Sequence, residues 1–128
     1  MLQFCNFLFF ALHTLWIVFN CCGWAWRRTR RWHLATVTLT ALSWFILGIW
    51  YGWGYCVCTD WHYQVRERLG YPHDSSYTHL LFLKLTGIDA PQGLTDFVTV
   101  GVFAVVAVLS VVLNVRDCRR RATASRVA

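Results

Sequence analysis

An all-α membrane protein, with three transmembrane helices plus one or two short interfacial helices in an external segment, is the fold class this sequence predicts. Three observations carry the prediction. Hydrophobic residues make up 57% of the 128 residues and charged residues only 14%, which is too apolar for a soluble domain of that size. The apolar residues gather into three long runs, and about 20 residues rising about 1.5 Å each cross a hydrocarbon core of about 30 Å. The arginines behind the formal charge of +6 abut the ends of those runs. Such clustering sets topology, whereas nucleic-acid binding would spread them along polar helices. Eight Trp, most of them near run ends, suit the headgroup level.

The elements follow in order. Leu2 to Trp26 holds no charged residue and forms the first span, about 2–26. A cleaved signal peptide fits it poorly: no basic residue precedes Phe7, the run is too long, and no small-residue cleavage pattern follows. Arg27, Arg28, Arg30 and Arg31 make a tight cytoplasmic turn, followed by Trp32 and His33 and a second span over about 34–55. The stretch 56–93 carries Asp60, Arg66, Glu67, Arg68, Asp74, Lys84, Asp89, Pro72 and Pro91 and is external. Within it Trp61–Leu69 reads as an amphipathic helix, capped by Thr59 or Asp60 and stopped at Gly70. Tyr77–Leu85, between Ser75-Ser76 and Gly87, is too short to cross and reads as a helix in the outer interface. The third span, about 94–115, ends on Arg116, Arg119, Arg120 and Arg121. The chain is thus one helical membrane domain, 1–121, with a disordered cytoplasmic tail at 122–128. Of 12 Lys and Arg, nine lie in the Arg turn and C-terminal tail, against Arg66, Arg68 and Lys84 in the external segment. The N-terminus is therefore expected outside and the C-terminus in the cytoplasm.

Polar residues inside the spans form stripes. Asn6, His13 and Asn20 recur every seven residues with Gln3 above them, so one face of the first helix must meet something other than lipid. Thr36, Thr40 and Ser43 offer a matching face on the second span, and Ser110 with Asn114 does so on the third. Interhelical hydrogen bonding explains these stripes. Gly48 and Gly52 form a small-residue pair that allows close helix approach. His13 is the deepest ionisable group, read either as a structural donor or as an axial ligand to haem or another pigment. Neither of the other spans offers a second central His, and no Asp, Glu or Lys stands in the membrane core of a span to relay protons.

The densest chemistry is at the end of the second span, where Cys56, Cys58, Asp60 and His62 fall within seven residues. As a metal site, Cys56, Cys58 and His62 would take a fourth ligand from Asp60, His73 or His79. As thiols in an oxidising compartment, Cys56 or Cys58 would pair with Cys5, or with each other in a strained and reactive ring. Cys21, Cys22 and Cys118 lie toward the cytoplasm and stay reduced. His73, Asp74, Ser75 and Ser76 lack a nucleophile elbow or a lysine partner, and no phosphate loop or dinucleotide fingerprint occurs.

His13, the basic turn into Trp32 and His33, and the run Cys56, Thr59 and Arg66 together resemble the small bacterial membrane proteins of domain-of-unknown-function family 2784, over nearly the whole chain. In that family the run reads roughly Cys-Pro-Leu-Thr, an acidic residue, then Arg, before a short aromatic helix and a last span. Here Val57 and Cys58 replace the Pro-Leu pair and His62 stands near the acidic position. The resemblance implies the topology and names no catalytic residue. The expected role is a non-enzymatic accessory or structural component of the bacterial inner membrane, in a homo-oligomer or a larger complex, contacting membrane lipid and not nucleic acid. The alternative is a metal-binding or thiol-redox protein using Cys56, Cys58 and His62. No cofactor is identified by the sequence.

Overall fold

The computed structural model describes residues 1–71 and 76–127, and all the elements among them are helical. Pro72, His73, Asp74 and Ser75 lie outside the described residues. Helix α1, Leu2–Cys22, contains no Gly or Pro and stops at Gly23, whose N–H closes on the Phe19 carbonyl at 2.7 Å. The turn that follows satisfies its own backbone. Thr29 donates to the Gly23 carbonyl at 2.7 Å, Trp24 Nε1 to Cys21 at 2.7 Å, and Arg30 Nε to Trp24 at 3.1 Å.

The second apolar helix runs over Arg30–Tyr51. It is built from α2, Arg30–Leu42, a π turn over Ser43–Leu47, and α3, Gly48–Tyr51. Gly52, at φ 103°, ends it. Ser43 Oγ donates to the Tyr55 carbonyl at 2.9 Å, and a Cβ on Gly48 would lie 3.5 Å from Trp53 Cα. Within the fold, Gly48 therefore makes room for the chain's own fold-back after α3.

Helix α4, Val57–Arg68, starts at Cys56, earlier than Thr59 or Asp60, with no side-chain cap. Asp60 in its first turn and Arg66 and Arg68 in its last match the helix dipole. Helix α5, Tyr77–Thr86, closes on Gly87 in the left-handed region, its N–H bonded to Leu83 at 2.8 Å. Helix α6, Gln92–Val127, starts after Pro91 and runs 36 residues, about 54 Å at about 1.5 Å per residue. It continues past the arginines through residues expected to be disordered, because that stretch holds no Gly or Pro and is rich in Arg and Ala.

Three described helices are long and apolar enough to cross a membrane: Leu2–Cys22, Arg30–Tyr51 and the part of α6 within Gln92–Ser125. Helix α6 packs on α1, α2 and α5, and α1 packs on α2 and α4. The interior is mostly polar, with His13, Asn20, His33, His62, Arg66, His79 and Ser110 buried, while Phe4, Phe7, Leu15, Phe97, Val105 and Val108 face outward. That arrangement inverts a water-soluble core and suits a solvent as apolar as the side chains it touches.

Candidate functional site

Two polar clusters are built on the stripe of α1. At its C-terminal end, His33 in the first turn of α2 is fully buried. Its Nε2–H donates to the Asn20 carbonyl at 2.8 Å, and Nδ1 lies 2.9 Å from Ser110 Oγ. A carbonyl can only accept, which places a proton on Nε2. Gly23 makes room, since a Cβ there would stand 3.0 Å from His33 Cδ2. The Asn20 amide accepts from Thr36 at 3.0 Å and donates to Thr40 at 3.4 Å, and Trp16 Nε1 reaches the same Thr40 hydroxyl at 3.1 Å. Asn114 donates to the Arg30 and Ser110 carbonyls at 3.0 and 2.8 Å. One network thus ties all three long helices together.

Below it, Arg30 pairs with Asp117 at 2.9 Å and Arg27 stands 3.8 Å from the other carboxylate oxygen. Arg116 and Arg120 line the same recess. Arg28, Arg31, Arg119 and Arg121 are exposed.

At the N-terminal end of α1, the short helices α4 and α5 supply the partners. His62, 1% exposed, donates from Nε2 to Asn6 Oδ1 at 2.9 Å. Tyr77 stacks on His13 with ring centroids 4.0 Å apart, and its hydroxyl donates to the Phe10 carbonyl at 2.9 Å beside Thr14 at 3.1 Å. Thr59 Oγ1 lies 3.4 Å from His13 Nδ1. Lys84 rests 4.6 Å over Phe10, and Arg66 5.2 Å over Tyr71. Burial first, then the charges of Arg66 and Lys84, push the His62 pKa down from 6.5 to about 4, so the ring is neutral at pH 7. His79 donates to Asp89 and Ala90, each at 3.0 Å, tying α5 to the segment that leads into α6. The Nδ1 atoms of His62 and His79 have no hydrogen-bond partner among the described residues.

The structure therefore gathers Asn6, His13 and Asn20 into interhelical contacts, and it brings His62 to the same end as His13. It does not gather the thiols into a ligand set. Cys5, Cys21, Cys22, Cys56, Cys58 and Cys118 are all free, and no group of three His, Cys, Asp or Glu among the described residues is placed to hold a metal. His62 turns to Asn6 instead. Burial, and then Cys56, push the Cys58 thiol up, the reverse of what a reactive thiolate needs. His73 as a fourth ligand lies outside the described residues.

Sequence reasoning missed the burial of His33, the Tyr77 contact and the Asp117 anchor. Asp117 carried a signal, as an acidic residue inside a run of arginines. His33 and Tyr77 carried none, because either would sit equally well at an interface.

A family model described as Protein of Unknown function (DUF2784) matches residues 3–115. No curated protein and no solved structure matches the chain. The matched stretch covers both polar clusters and reaches into all three apolar helices, ending within the third, and on that match the chain belongs to the DUF2784 family.

Proposed function

We propose that the protein is a structural or accessory component of a bacterial inner-membrane assembly, with its N-terminus outside, its C-terminus cytoplasmic, and α4 and α5 lying in the outer interface. The observation that carries this reading is the division of labour in α6. Val106, Ser110 and Asn114 face the bundle, while Phe97, Val98, Val102, Val105 and Val108 form an outward apolar face 45 to 78% exposed. The buried imidazoles are engaged in holding helices together, which leaves interaction to the outward apolar surface, this face of α6 included, and to the basic end of α6. Nine of 12 basic residues on one side support the orientation.

Crosslinking in native membranes, followed by mass measurement of the complex in mild detergent, tests the reading. A homo-oligomer or a complex of defined stoichiometry is expected, and it should be weakened by Val98→Arg with Val105→Arg. A monomer with no crosslinked partner in native extract would overturn it.

A further inference from the structure

The recess beside Asp117 joins two segments distant in sequence: Arg27 and Arg30 from the turn after α1, and Leu113, Arg116 and Arg120 from α6. Four arginines face one carboxylate there, leaving three positive charges in excess. Asp117 engages Arg30 at 2.9 Å, whereas Arg27, with its side chain 70% exposed, stands 3.8 Å away. Arg30 is thus the structural partner, and Arg27, Arg116 and Arg120 are left to meet an anion.

Arg116 and Arg120, with Arg119, also line an adjoining shallow groove on the exposed face of α6 that passes Val111, Val112 and Val115. These valines are 45 to 55% exposed and belong to the apolar stretch of the helix. Val112, Arg116 and Arg120 follow at four-residue steps, so an apolar track leads directly into the basic recess on one helix face. Topology alone asks only for arginines near the span end; it does not ask that two segments converge around one carboxylate.

We infer that this recess and groove bind an anionic phospholipid, the phosphodiester held by Arg27, Arg116 and Arg120 and an acyl chain laid along Val111, Val112 and Val115. Guanidinium forks match phosphate oxygens in pairs, and basic pockets between membrane helices are suited to anionic headgroups. A soluble anion would use the arginines and leave the valines idle. A phospholipid has its charge and its chain in the order the groove presents them. This site stands independently of any protein partner.

Native mass spectrometry of the full chain in mild detergent tests the site, with phosphatidylglycerol, phosphatidylcholine and inorganic phosphate as probes. Phosphatidylglycerol should be retained about tenfold better than phosphatidylcholine, and Arg116→Gln with Arg120→Gln should remove about tenfold, allowing up to about fivefold per basic residue at an anionic surface. Arg28→Gln with Arg121→Gln removes the same charge from outside the recess and groove, and should change retention by less than about twofold. If the glutamine pair does not fold, Arg116→Lys with Arg120→Lys replaces it, with a loss of about threefold expected because lysine lacks the paired donors. Equal retention of the two lipids, equal loss in the two glutamine pairs, unchanged retention in the lysine pair, or displacement of lipid by inorganic phosphate would each overturn the inference.

Discussion

His62 is held as a neutral imidazole by burial and by the cations of Arg66 and Lys84, with its pKa near 4 in the folded chain against 6.5 outside it. The unfolded chain therefore binds the extra proton between those values. Stability from this group is whole above pH 6.5 and is lost as pH falls toward 4. Melting in detergent should show a midpoint lower by about 8–15 °C at pH 4.5 than at pH 7.5, and His62→Gln, which keeps a donor for Asn6, should shrink the difference. An undiminished acid shift in that variant would show that other groups cause it. Residue types and spacing made Asn6, His13 and Asn20 legible as an inward stripe, since a seven-residue period keeps one helix face. For Asn20 the matching Thr36 and Thr40 face was legible as well, but the partners of Asn6 and His13 were not, because His62, Tyr77 and Thr59 reach them across 46 to 64 positions of chain, and only the rotation of packed helices selects them.

Among the elements, the ends depend on backbone chemistry more than on hydropathy. The first apolar run continues to Trp26, yet α1 stops at Cys22 because Gly23 begins a turn whose carbonyls are taken by Thr29 and Arg30. The second run continues to Tyr55, yet its helix stops at Tyr51 because Gly52 adopts φ 103° and ψ 148°. A Cβ on Gly52 would touch nothing within 4 Å, so the cost of Gly52→Ala is backbone strain alone, about 1–3 kcal/mol. Gly93→Ala also enters open space, in the first turn of α6, and should be neutral or stabilising by up to about 1 kcal/mol. Unfolding titrations of the two variants should separate them by that margin, and equal effects would remove the strain argument. The short helices α4 and α5 were legible from their Gly stops, since Gly70 and Gly87 take φ of 75° and 71°, where other residues are strained.

For the whole molecule, orientation rests on the arginines gathered at one end of the bundle. In an otherwise cysteine-free chain, the exposed Cys118 should react with a membrane-impermeant maleimide only after the membrane is opened. Ile88→Cys, at a position 61% exposed in the segment before α6, should react in intact cells. The reverse pattern would invert the topology. The three spans, the basic end and the polar stripe are local properties of the chain: they follow from run length, charge position and helical period, and the amino-acid sequence determined them by itself. Tertiary structure alone decided that His33 is sealed between Asn20 and Ser110, that His62 turns to Asn6 and away from a thiol ligand set, and that Arg27 meets Arg116 and Arg120 around Asp117. Each of those outcomes joins residues on different helices. The free energy of desolvating a polar side chain in an apolar surrounding is settled by which partner the packed helices bring within hydrogen-bond reach, and no one-dimensional pattern records that distance.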